Sequence, residues 1–182
     1  MSCSFTPPEV QLILLSGNDV DKGITRVTFK LESLSTDLFS MKTPASSLIL
    51  DGTGNLYGTT PGCGNPRSEG TVFRLLSAGP SKPYIIHRFS TKNGDVFAPV
   101  APVAMDGFGN LHGTAQSSGA FGFGGVFKLT VSNDDTWPET AVHNFTGRAD
   151  GANPGTGVIF ATGGNLYGTT IRRWSGTERR GV

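Results

Sequence analysis

Leu48-Ile49-Leu50-Asp51-Gly52-Thr53-Gly54-Asn55-Leu56-Tyr57-Gly58-Thr59-Thr60 is the stretch whose reading decides the fold, because its centre returns twice. Gly54-Asn55-Leu56-Tyr57-Gly58-Thr59 recurs as Gly109-Asn110-Leu111-His112-Gly113-Thr114 and again, after the same interval, as Gly164-Asn165-Leu166-Tyr167-Gly168-Thr169. Pro44, Pro99 and Pro154 keep the same beat, as do Leu48, Val103 and Val158. Val72-Phe73-Arg74-Leu75 returns as Val126-Phe127-Lys128-Leu129, and His87-Arg88-Phe89 as His143-Asn144-Phe145. A fixed period of this length marks a repeat architecture, in which one supersecondary unit is copied along the chain.

Within a period the pattern reads as four strands. Residues 47–50 are a short apolar run closed by Asp51-Gly52-Thr53-Gly54, and residues 55–60 are its hairpin partner, since Asp-Gly between two β-prone runs is a hairpin signal. A Gly- and Pro-containing loop leads to Thr71–Leu76, where Val72 and Arg74 alternate with Phe73 and Leu75. Ala78-Gly79-Pro80 then turns the chain into Tyr84–Phe89. No window carries a helical apolar period, and 26 glycines in 182 residues weigh against helices. Four short antiparallel strands in each repeat of about 55 residues predict all-β, β-propeller-type blades. A sandwich would not repeat itself at this period, and β-helix repeats are shorter.

The predicted organisation is a single repeat domain over 1–182: a degenerate partial blade at 10–43, blades at 44–98 and 99–153, and a partial blade with an Arg/Trp tail at 154–182. Leu12 stands as far ahead of Phe29 as Leu56 stands ahead of Phe73, so Val27–Leu31 matches the third strand and Leu38-Phe39-Ser40 the fourth. The expected count is three strands, two blades of four, then two more. Propellers close with four to eight blades. The expectation is therefore an incomplete propeller, a fragment of a longer protein or one completed by self-association.

With 15 Lys/Arg against 14 Asp/Glu the formal charge is +1, and Arg172, Arg173, Arg179 and Arg180 concentrate the excess in the tail. Setting those four and Glu178 aside leaves 11 basic and 13 acidic side chains, a net of −2 that argues against a nucleic-acid partner. No apolar run reaches membrane-span length. The first residues show neither a basic n-region nor an apolar h-region, so no signal peptide is read. Cys3 and Cys63 stand far apart and outside any Cys-x-x-Cys pattern, and a disulfide between them is one reading.

The run Leu48–Thr60, followed by Gly70-Thr71-Val72-Phe73-Arg74-Leu75, resembles the bacterial GloVer (Gloeo-Verruco) tandem repeat. Asp150-Gly151-Ala152-Asn153-Pro154 fits the opening of the family pattern and His143-x-Phe145 its close. The resemblance is clear over about residues 43–170 and weak over 10–40. It implies propeller-like repeats of a secreted or surface protein without an assigned biochemical activity. Against it stand the absent signal peptide, the eroded first repeat, and Ile171–Val182 in place of a Gly-Gly loop; cytoplasmic retention is the other expectation.

The candidate sites each have a structural alternative. Asp51 and Asp106 could suggest calcium, but the third copy has Ala161 there, so turn chemistry explains them and no metal is expected. His87 and His143 make no zinc pattern and read as polar contacts at a blade boundary. Gly119–Gly125 precedes a strand, so the logic of a phosphate-binding loop is missing and no cofactor is implied. Asp134-Asp135 reads as a solvated pair in a turn. Tyr57, His112 and Tyr167 recur in register and could present rings to a glycan, or pack between sheets. The function these observations predict is a non-catalytic module, a binding or structural unit with a glycan or protein ligand. The alternative is a fragment of a propeller enzyme acting on glycans or other polymers, its catalytic groups lying in other blades.

Overall fold

The computed structural model describes residues 10–13, 26–29, 46–61, 69–77, 83–90 and 96–172, and every regular element among them is a strand. Cys3 and Cys63, for which a disulfide was one reading, the Ala78–Pro80 turn and the Leu38–Ser40 strand lie outside the described residues. β1 (Val10–Ile13) pairs antiparallel with β2 (Arg26–Phe29), with Leu12 opposite Val27.

The first full unit is one antiparallel sheet in chain order: β3 (Ile49–Leu50), β4 (Leu56–Thr60), β5 (Thr71–Leu75) and β6 (Tyr84–Arg88). A short strand, β7 (Val96–Phe97), leads out of it. The second unit repeats the arrangement with β8 (Ala104–Met105) and β9 (Leu111–Ala115), then a small extra strand β10 (Ser117–Ser118), then β11 (Gly125–Leu129) and β12 (Glu139–Asn144). A linking strand β13 (Ala152–Pro154) leads to the third unit, of which β14 (Ile159–Phe160), β15 (Leu166–Tyr167) and β16 (Thr170–Arg172) are described. No sheet among the described residues closes into a barrel. No helix among them is long and apolar enough to cross a membrane.

The beat of the sequence is a beat of backbone geometry. Asp51 N–H bonds to Asn55 O and Gly54 N–H to Asp51 O; Asp106–Asn110 and Ala161–Asn165 repeat both bonds. All three are three-residue hairpin loops; the first two are a type I turn followed by a residue in the left-handed region, while in the third Gly163 (φ +86°) is left-handed as well. The glycine that the turn requires is therefore Gly54 (φ +87°), Gly109 (+84°) or Gly164 (+80°), and not the Gly of the Asp-Gly dipeptide. The hairpin is where the Asp-Gly signal predicts it, for a different reason.

The long strand pairs share their register. Leu56, Gly58 and Thr59 face Leu75, Phe73 and Val72, while Leu111, Gly113 and Thr114 face Leu129, Phe127 and Val126. Both third strands carry a bulge toward the fourth at the same place, Val72/Phe73 and Val126/Phe127. Gly58 and Gly113 are explained by the ring opposite: Phe73 and Phe127 fold over the bare backbone where a side chain would otherwise stand.

β4 and β9 are buried along their whole length, whereas β6 and β12 are half-buried or exposed. A strand buried on both faces needs a layer on each side. One continuous cluster supplies this, with Tyr57, Val72 and Phe89 of the first unit packed with Leu111, Phe127 and Trp137 of the second. The sheets are thus layered on one another through their apolar faces, as sheets must be to remove those faces from water.

Candidate functional site

The recurrent side chains converge on the seam between consecutive units. Asp51 organises its own turn: Oδ1 accepts from the Thr53 N–H (2.9 Å), the Thr53 hydroxyl (2.8 Å) and the Asn55 N–H (2.9 Å). Its Oδ2 accepts from Asn55 Nδ2 (2.9 Å) and from the Tyr57 hydroxyl (3.1 Å). Asp106 repeats this with the Phe108 and Asn110 N–H groups on Oδ1 and with Asn110 Nδ2 and His112 Nε2 (3.1 Å) on Oδ2. The asparagines then tie the turn to the end of the third strand, Asn55 Oδ1 accepting from Ser77 N–H and Asn110 Oδ1 from Val131 N–H.

Partial burial pushes both carboxyls up, and the bonds from Asn55 and Thr53, or from Asn110 and His112, outweigh it and hold each down to about 2. A carboxylate saturated by donors and so acidic is a poor proton donor near neutral pH. Among the described residues no group of three or more His, Cys, Asp or Glu could hold a metal ion.

The three members of the ring series are not brought together at one surface. Tyr57 is 4% exposed and lies 6.1 Å, ring to ring, from Trp137 of the second unit. His112 is 7% exposed and meets Phe160 of the third unit edge to face at 5.0 Å. Tyr167, without an Asp in its turn, is 57% exposed. Two of the rings are therefore packed between successive units and the third stands open. Burial, and then the bond to Asp51, raise the Tyr57 phenol above its ordinary value.

Hydroxyls cross the same seam. Thr59 Oγ1 donates to the Ala101 carbonyl (3.0 Å), and Thr114 Oγ1 to the Thr156 carbonyl (2.7 Å), the same bond one repeat later. The linkers also repeat. Phe97 pairs with Ser117 as Ala152 pairs with Arg172, so Ile171 and Arg172, the first residues of the expected divergent tail, belong to a strand, Thr170–Arg172, that pairs with the linker. Ala98 (φ +62°) donates its N–H to Glu69 O, and Asn153 (φ +52°) donates to Phe123 O. Each linker is thereby bonded to the unit behind it as well as to the unit ahead. The sequence signal for this was the buried Pro99 and Pro154, but the left-handed residue before each proline is not legible from residue type, Ala98 least of all.

Asp134 and Asp135 both stand exposed in their turn, as expected, and each carboxylate also has partners. Asp134 closes its turn on Ser132 and Thr136, whereas Asp135, at φ +59°, reaches back to the first unit. There it takes both guanidinium nitrogens of Arg74, at 3.0 and 2.8 Å, while Arg74 also lies 5.5 Å over the Tyr84 ring. His143 bonds Asp150 of the same unit at 3.2 Å and stacks edge to face on Phe145. His87 stacks on Phe89 in the same way.

No curated protein and no solved structure matches the chain. The family model of the Gloeobacter/Verrucomicrobia repeat matches residues 21–182, a span that takes in the recurrent turns, rings and linkers of all three units. With that match over most of its length, the chain belongs to the Gloeobacter/Verrucomicrobia repeat family.

Proposed function

We propose that the chain is a non-catalytic β-propeller module, a binding or structural unit of a larger bacterial surface or secreted protein. The observation that carries this reading is the repeated seam. Thr59 to Ala101 and Thr114 to Thr156 are one bond made twice, so the recurrent beat of the sequence serves to join units. The burial gradient supports blades arranged about an axis, with central strands enclosed and the fourth strands outermost. The carboxylates of the recurrent turns are occupied by turn donors, which leaves loop surfaces as the part free to vary and to bind. Solution scattering from the full-length protein tests the architecture: a disc-shaped particle supports it and a rod overturns it. Turnover of a polysaccharide panel by the same protein would overturn the non-catalytic assignment.

A further inference from the structure

The loop between β9 and β11, from Gln116 to Gly124, grips both linkers at once. Gln116 donates its N–H to the Ala98 carbonyl of the first linker (3.0 Å), and its own carbonyl accepts from Nδ2 of Asn153 in the second (2.9 Å). At the other end of the loop the Phe123 carbonyl accepts the Asn153 N–H (2.8 Å). Asn153 is thus held twice, by backbone and by side chain, and the residue that takes its side chain is the one that holds Ala98. β10 continues the grip on the first linker, Ser117 pairing with Phe97 and Ser118 with Val96.

The two ends of this loop press on each other while its middle stands out. Gly124 is left-handed (φ +80°), and a Cβ there would run into the Ala115 and Gln116 carbonyls. Phe121, in between, is 57% exposed, and a Cβ at Gly122 (φ +79°) would meet no atom within 4 Å. The Ala120 N–H on Asn144 Oδ1 (3.0 Å) and the Phe123 ring lying over the bare Gly147 anchor the stretch to the outer strand and the turn after it. A compact loop closed at its base is one structural piece, and it opens as one.

We infer that the Gln116–Gly124 loop is a clasp shared by the two joints of the array, so that the first and second linkers open in one event rather than separately. When Gln116 lets go, Ala98 and Asn153 both lose a partner. The side chain that closes the link is Asn153; Ala98, at the same place in the first linker, has no group that could make such a bond. Coupling of this kind is reciprocal: easing or straining either linker must be felt at the other. It does not depend on whether the units close into a ring.

Amide hydrogen exchange, followed residue by residue by NMR on the intact chain, tests the clasp with Asn153→Gly and Ala98→Asn. The first keeps a left-handed backbone and removes the amide side chain; the second places at the first linker a residue that tolerates that backbone. Rates are read relative to the amides of β4 and β9, which report global unfolding. In wild type the N–H groups of Ala98, Gln116 and Asn153 share one opening equilibrium, and their protection factors agree within about threefold. Asn153→Gly speeds exchange at residue 153 and also at Gln116 and Ala98, by about twofold to tenfold, as the loss of one hydrogen bond requires. Ala98→Asn slows exchange at Asn153 as well as at the first linker, by about twofold to fivefold. Faster exchange confined to residue 153, or slower exchange confined to the first linker, overturns the shared clasp. So do wild-type protection factors that differ by more than about tenfold between Ala98 and Asn153. If Asn153→Gly does not fold, the wild-type comparison and Ala98→Asn decide by themselves.

Discussion

Alanine at Gly113 tests whether the strand glycines of the repeat are there to be covered by the ring opposite. A Cβ at Gly113 would meet Phe127 Cζ well inside van der Waals contact, with Cε1 at 2.9 Å and Cε2 at 3.1 Å. Carbon atoms pack at roughly 3.5–4.0 Å, so the ring must give by a large part of an ångström. It has nowhere to go, being fully buried and braced by Phe89 at 4.9 Å between ring centres. Overpacking of this kind costs about 1–3 kcal/mol, and stiffening the unfolded chain returns about 0.4–1 kcal/mol, for a net loss of up to about 2.6 kcal/mol, centred at about 1.3. Gly168, at the same place in the third unit, is an internal control. Its nearest side-chain neighbour is Val158 Cγ1 at 3.3 Å, and no ring covers it among the described residues. Gly168→Ala should fall between neutral and about 0.5 kcal/mol stabilising. Urea unfolding gives both numbers from the shift in midpoint at constant slope. In a Phe127→Leu background the smaller side chain makes room, so the cost of Gly113→Ala should shrink, and the difference is the coupling between the two positions. Equal effects at Gly113 and Gly168, or an unchanged cost beside Phe127→Leu, would refute the steric account.

Asp51 and Asp106 titrate at about 2 in the folded protein against an ordinary 3.8, so each adds stability that is present above pH 4 and lost as the pH falls toward 2; urea midpoints across that window should drop for wild type and drop less for Asp106→Asn. Ala98→Asn places at the first linker the residue that the second linker already has, one that tolerates the left-handed region, and a gain of about 0.5–1 kcal/mol is expected in the same unfolding assay. The Arg74–Asp135 pair, with its Asp side chain 44% exposed, should show a coupling of about 0.2–1 kcal/mol in a double-alanine cycle, weakening with added salt; no coupling at low salt would remove it from the seam.

Much of the unit was legible because its signals are local. Asp-Gly and the glycine two residues on marked the hairpin, alternation marked Thr71–Leu75, and the observed strands fall within the predicted segments. What the sequence concealed was long-range. β7 and β10 are two residues each, too short for any period to register, and their pairing depends on a left-handed alanine that no propensity favours. Asp135 is exposed as read, but its partner was hidden: it lies 61 residues earlier, in a strand whose arginine has no visible relation to it. The repeat itself hid a second difference. Lys128 replaces Arg74 in the second copy, and an ammonium cannot reproduce a two-pronged grip on a carboxylate.

The exchange of Tyr57 for His112 shows what the most prominent motif is for. A tyrosine hydroxyl and a histidine Nε2–H share little beyond a flat ring with a donor at its far edge, and both place that donor 3.1 Å from the carboxylate six residues earlier. The carboxylate therefore fixes the tilt of the ring, and the ring face is what the next unit meets, through Trp137 in one seam and Phe160 in the other. A ligand-reading position would distinguish phenol from imidazole, because their hydrogen-bonding and charge differ; a spacer between sheets need only keep the ring and its tether. In the third copy the tether is gone, Ala161 standing where the Asp would be, and there the ring is open to solvent. Tether and coverage occur together twice and are absent together once, which is the pattern of a joint between units rather than of a site for a free sugar.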